Sequence, residues 1–248
     1  MSSINLIRSE IRKLTTTRMP LAFLAVLAVL AVTNGIAVAV GTDMDGSKAF
    51  IATGADQQSL MAFAANAVMI TGLFGAIAAA REYANNTVIA TYVAAPRRGR
   101  ALRAQFAAVG LGGAVLGVLG TALTGIAVAF SLPLTDYGFM VSVGGVGRVL
   151  AAAALAGASG AVLGAAIGTV VRNTGGAVSG AVLILVAAPP LIVQLANGAA
   201  PWIPNALANV VSGVSTETGV AGASLALALW ALIPALIALR VIRSRDIV

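Results

Sequence analysis

The side chains of this chain that could do chemistry are few, and most of them crowd into one stretch. Residues 78–105 read AAAREYANNTVIATYVAAPRRGRALRAQ. A charged start, Arg81-Glu82-Tyr83, leads into an apolar-leaning segment, Thr87 to Ala94. Pro96 and the cations Arg97, Arg98, Arg100 and Arg103 follow. This set suits charge pairing with a protein or with anionic headgroups, and not bond-breaking. The plainest role of the arginines is to anchor a loop at a membrane face. Glu82 could equally pair with Arg81.

Catalysis finds little support elsewhere. The chain has no Cys and no His, which removes thiol nucleophiles, disulfides, haem ligation by His and nearly all zinc chemistry. It also removes the usual general base. The apolar runs contain neither paired acids nor a Ser-Lys pair, so nucleophilic catalysis within them has no players. Asp43 and Asp45, flanked by Gly41 and Gly46, are too few oxygens for calcium, and a solvated loop explains them better. No metal site is expected. No G-x-x-x-x-G-K-[ST] phosphate loop occurs, so the chain cannot cradle ATP itself.

The elements that position these residues are apolar. Hydrophobic residues make up 59% of the 248 and charged residues 9%; mean hydropathy is +0.99. Soluble domains are nearer a quarter charged. Six runs, about 20–40, 59–80, 105–131, 147–171, 176–196 and 222–242, are each long enough to cross a hydrocarbon core of about 30 Å as a helix. The chain is expected to be all-α, a single transmembrane domain over 1–248. Of its 15 basic residues only Lys48 and Arg148 fall on one side of such a six-span layout. Short basic loops stay in the cytoplasm, which predicts both termini inside. The net charge of +7 follows from that bias, so nucleic acid is not an expected partner. The polar, basic start of the chain does not read as a signal peptide.

Residues 3–18 predict an amphipathic helix on the inner surface. Ile4, Ile7, Ile11 and Leu14 share a face, and Arg8, Arg12 and Lys13 lie away from it. Gly113, Gly117, Thr121 and Gly125 recur every fourth residue, as do Gly160, Gly164 and Gly168, and then Gly176 and Gly180. Small residues at this spacing let helices approach closely in lipid. Pro189-Pro190 should kink or end the fifth run at its outer end. A short external or re-entrant helix is expected within 197–221. Arg148 should snorkel at the outer end of the fourth run, and Arg172 should cap the inner turn after it.

The 78–105 segment resembles the corresponding cytoplasmic loop of type-2 permeases of ATP-binding-cassette (ABC) transporters. Glu82-Tyr83, Thr87 and Pro96-Arg97-Arg98 carry the likeness; Asn86 stands where the family often has Gly. The N-terminal helix, six spans, external excursion and short basic C-terminus extend it over the whole chain. The resemblance implies a six-span subunit of an exporter in a bacterial plasma membrane. It would pair with a second permease subunit, as homodimer or heterodimer, and dock two cytoplasmic ATPase subunits that hold ATP and Mg; this chain would bind no cofactor and would not itself be an enzyme. Residues 81–104 would form a coupling loop with a short coupling helix. Glu82, Tyr83, Thr87, Ile89 and Tyr92 would lie at the ATPase contact, with Arg97 and Arg98 at its membrane end. Spans two and five would line the cargo path, through Phe63, Asn66, Met69, Ile70 and Leu73 and through Leu183, Val186 and Pro190. Cargo would be hydrophobic or amphipathic: a drug, antibiotic, peptide or lipid. The alternatives are a secondary transporter or channel, a membrane enzyme and a membrane scaffold. The first would need an intramembrane acid or a carbonyl-bound ion, and the runs hold no Asp or Glu.

Overall fold

The computed structural model of the protein describes residues 3–40, 49–62, 67–85, 87–88, 98–196 and 198–244. Among these residues the chain is helical and contains no strand. The helices are α1 (Ser3–Thr15), α2 (Met19–Val40), α3 (Gly54–Ala62), α4 (Ala67–Ala84), α5 (Arg98–Ser131) and α6 (Val143–Val171). They continue as α7 (Thr174–Val182), a π turn (Leu183–Ala187), α8 (Ala188–Leu195), α9 (Pro204–Ser212) and α10 (Val220–Ser244).

Six segments are long and apolar enough to cross a membrane: Met19–Val40, Gly54–Ala84, Gly99–Leu134, Val143–Val171, Thr174–Leu195 and Val220–Ile242. The chain thus reads as a multi-pass membrane protein. The second and third segments begin earlier than hydropathy alone suggests. Thr53 and Asp56 explain the first of these shifts. The Thr53 hydroxyl donates to the Asp56 carboxylate at 2.5 Å, and the Asp56 N–H donates back to the Thr53 hydroxyl at 3.2 Å. This reciprocal cap starts α3 inside what looks from sequence like a loop.

Helix α6 is the hub. It packs on α4 and α5 most extensively, and also on α10, α9 and α7. Glycine makes the close approaches possible. A Cβ on Gly164 would collide with the Gly72 carbonyl, and one on Gly75 with the Ala161 carbonyl. Gly113 and Gly157 meet backbone to backbone across α5 and α6 in the same way. Lipid tails are as apolar as leucine, so such shape matching has to replace the hydrophobic drive available in water. Phe74, almost fully buried, anchors the main cluster with Leu102, Phe106 and Val109. Its ring meets Phe23 edge to face at 5.6 Å.

Segments α2, α7–α8 and α10 keep broad apolar faces exposed. Pro189-Pro190 does not end the fifth segment. A π turn precedes the pair, and α8 restarts with proline at its first positions, where a missing N–H costs no intrahelical bond within α8.

Candidate functional site

Helix α1 turns Leu6, Glu10 and Lys13 toward the bundle, at i, i+4 and i+7 on one face. Leu6 is buried against Ala101 and Ala104 of α5. Of the Ile4–Ile7–Ile11–Leu14 stripe read from sequence, Ile4 is 76% exposed, whereas Ile7 packs beside Leu6, and Leu14 against the main cluster. Glu10 is buried, at 5% exposure. The Lys13 ammonium donates to Glu10 Oε1 at 2.6 Å and to Glu82 Oε1 at 3.2 Å. One cation therefore ties the N-terminal helix to the end of α4. Burial by itself would lower the Lys13 pKa. The hydrogen bond to Glu10 and the charges of Glu82 and Glu10 outweigh it and raise the pKa above the ordinary 10.5.

The next residue extends the junction to a third element. The Arg172 guanidinium lies over the Tyr83 ring, 5.4 Å from its centroid, within cation–π range. Arg172 ends α6 in the left-handed region at φ 58°, and its N–H donates to the Gly168 carbonyl at 2.9 Å. Its Nε and Nη2 are buried with no hydrogen-bond partner among the described residues. Beyond α4, the Thr87 hydroxyl donates to the Glu82 carbonyl at 3.3 Å and satisfies one of the carbonyls a helix end leaves open. A cavity of about 410 Å³ opens beside this cluster, where Thr16, Thr17, Arg81, Asn85 and Thr87 supply its polar wall.

No protein-family model matches this chain, and no curated protein matches it. The site rests on its geometry.

Of the expected docking residues, Glu82, Tyr83 and Thr87 come together here, and Arg98 begins α5. Ile89, Tyr92 and Arg97 lie outside the described residues, as do Phe63 and Asn66 of the expected cargo path, Lys48, and the loop acids Asp43 and Asp45. Of the remaining path residues, Ile70 is buried in the main cluster. Met69 is half-buried, and Leu73 packs toward Ala177 and Ala181 of α7. Leu183, Val186 and Pro190 are exposed along the fifth segment. Glu10 and Arg172 are participants that the loop motif does not contain. The signal for Glu10 was available: it is the single acid in a basic helix, three residues from Lys13.

The far end of α6 is tied differently. Arg148 does not snorkel toward headgroups. Its Nε donates to the Val211 carbonyl at 3.1 Å and its Nη2 to the Val210 carbonyl at 3.3 Å. The Gly213 N–H also reaches the Val210 carbonyl, at 3.1 Å, and the planar guanidinium fork adds donors to the end carbonyls that the helix leaves under-satisfied. Gln57, fully buried, donates to the Ile51 and Gly138 carbonyls at 3.2 and 2.9 Å and accepts from the Met140 N–H at 2.8 Å. Gln58 donates to the Ser212 carbonyl at 2.8 Å. This end is closed by side chains clamped on main-chain carbonyls, and the Lys13–Arg172 end by an ion-pair bridge and a cation–π contact.

Proposed function

We propose that the chain is the permease subunit of an ATP-driven ABC exporter, moving a hydrophobic or amphipathic cargo out of the cytoplasm or the inner leaflet of a bacterial plasma membrane. ATP and Mg would reside on two copies of a separate cytoplasmic subunit. A second permease, identical or related, would complete the pore. The observation that carries this reading is the Lys13 bridge between Glu10 and Glu82. It fastens α1 to the last turn of α4, where the loop that resembles a coupling segment begins.

The mechanism follows from that placement. A force applied to residues 85–97 by an ATPase reaches α4 through Glu82 and α6 through Tyr83 and Arg172. Helices α4 and α6 are in glycine-mediated contact along most of their shared length, so they transmit the displacement as one unit. In this reading α1 is an interfacial helix whose exposed Ile4 faces lipid. The exposed Leu183, Val186 and Pro190 border the cargo path. The absence of a phosphate loop from the sequence agrees with a division of labour between chains.

The test is purification of the full-length chain from its native membrane in mild detergent. A polypeptide with a phosphate-loop motif should co-purify, identified by mass spectrometry, and the complex should hydrolyse MgATP. Thr87→Pro should abolish cargo stimulation of that hydrolysis while leaving the complex in the membrane, because proline removes a backbone donor where the loop that resembles a coupling segment begins. Active transport in vesicles with no ATPase bound would overturn the reading in favour of a secondary transporter.

A further inference from the structure

The fifth membrane segment leaves main-chain acceptors without donors. Residues 174–195 run as α7, the π turn and α8, and the Ala188 N–H donates to the Leu183 carbonyl five residues back. Pro189 and Pro190 come next and have no N–H. The Leu185 carbonyl therefore loses its i+4 and i+5 donors, because Pro189 and Pro190 stand there, and its i+3 donor, Ala188, is directed to Leu183. The Ile184 carbonyl faces Pro189 at i+5, and its i+4 donor, Ala188, is directed to Leu183. Two successive carbonyls near the middle of a 22-residue membrane segment thus have no helical partner. A bilayer core contains no water to replace one, and non-helical backbone at that depth is tolerated where it is buried in protein or lines a wet cavity.

Among the described residues no side-chain donor fills the gap. Leu185 is buried among Val68, Leu163, Leu207 and Ala208, none of which carries a donor. The Thr71 hydroxyl, next to the Gly72 that Leu185 packs against, donates to the Ala67 carbonyl. On the other side Leu183, Ile184 and Val186 are exposed, so the turn borders open surface.

We propose that the carbonyls of Ile184 and Leu185 form a subsite for an amphiphile with an N–H-donating cationic head, of which a long-chain primary ammonium is the simplest form. This deepens the cargo-path reading of residues 183–190 and rests on it. An ammonium carries three donors and no acceptor, and hydrogen bonds from a charged donor are roughly twice as strong as neutral ones. The exposed Leu183 and Val186 side chains receive the alkyl chain. Two carbonyls fall far short of the oxygen shell a bare metal ion demands, so the occupant brings its own donors.

Binding of dodecylammonium and dodecyltrimethylammonium to the purified full-length chain in lipid nanodiscs tests this. The two share chain length and charge, and only the first has N–H groups. The primary ammonium should bind about tenfold more tightly or better, the factor expected of one charge-assisted hydrogen bond. The preference should collapse in the Pro189→Ala/Pro190→Ala variant, whose restored N–H groups satisfy the carbonyls. Pro189→Ala alone returns the donor opposite Leu185 and should remove part of the preference; it serves if the double variant does not fold. Leu183→Ala should weaken both probes alike. Equal binding of the two probes, binding of neither, or a preference untouched by the proline changes would overturn the proposal. The measurement needs neither ATP nor a partner subunit. A preference found in a chain that recruits no ATPase would sink the exporter reading and leave this subsite standing.

Discussion

Lys13 and Glu82 lie 69 residues apart in the chain and meet at 3.2 Å. The same ammonium holds Glu10 at 2.6 Å, so removing it strands two carboxylates, one of them buried. Lys13→Met should cost roughly 1–2 kcal/mol of stability in detergent. That lies below the range for a fully buried pair, because the Lys13 side chain is 41% exposed. A double-mutant cycle with Glu82→Gln reads the link directly: the two changes should be less than additive. Strict additivity would mean that the contact carries no energy.

The raised pKa of Lys13 sets a pH window. A lysine whose folded pKa exceeds its unfolded value contributes stability that is complete below the unfolded value and is lost as pH rises through the folded one. The Lys13 contribution to the junction between α1 and α4 should therefore be complete below the ordinary lysine value of 10.5 and be lost only above it. Proteolytic nicking between α1 and α2, followed against pH, checks it. A midpoint near neutrality would assign the opening to another group, and Lys13→Met should abolish the alkaline step.

Helix α6 offers a matched pair of glycines. A Cβ at Gly164 would strike the Gly72 carbonyl, whereas one at Gly147, in the same helix, would meet nothing within 4 Å. Gly164→Ala should lower stability by about 1–3 kcal/mol, the usual cost of overpacking. Gly147→Ala should be neutral or stabilising by up to about 1 kcal/mol, through helix propensity. Thermal melts of both variants in one detergent give the comparison. Equal melting temperatures would show that the α4–α6 approach is not tight in solution.

Orientation follows from which end of the bundle holds the charges. Cysteine placed at Ser215, near the Arg148 clamp, should react with an impermeant maleimide applied from outside the cell. Cysteine at Asn85 or Ser244 should stay protected until the membrane is opened. Labelling of Asn85 from outside would invert the topology and remove the loop from the reach of any cytoplasmic ATPase.

Local pattern in the sequence was enough to find the helices. Apolar runs of about 20 residues fix the number of possible spans because hydrocarbon thickness is constant. The four-residue spacing of Gly113–Gly117 and Gly160–Gly168 marks packing faces because helical periodicity is the same in every helix. The motif at 78–105 located three residues of the candidate site, Glu82, Tyr83 and Thr87.

Tertiary structure decided everything that depends on a partner. Gly72 and Gly75 carry no repeat of their own, yet they meet Leu185 and Ala161 because α6 and the π turn cross α4 there. Arg148 looked like a headgroup anchor until the last carbonyls of α9 came within reach of its guanidinium. Gln57 lies in a stretch whose polarity suggests a loop, and the return of residues 138–140 over it, with the nearby Ile51 carbonyl, satisfies its amide. The choice of Glu82 over Arg81 as the residue that binds α1 was likewise invisible, since both are charged and adjacent. The reason is common to all four. Hydropathy and period describe one element against its solvent, whereas a hydrogen bond or an ion pair is a relation between two elements, and its partner is named only when the chain has folded.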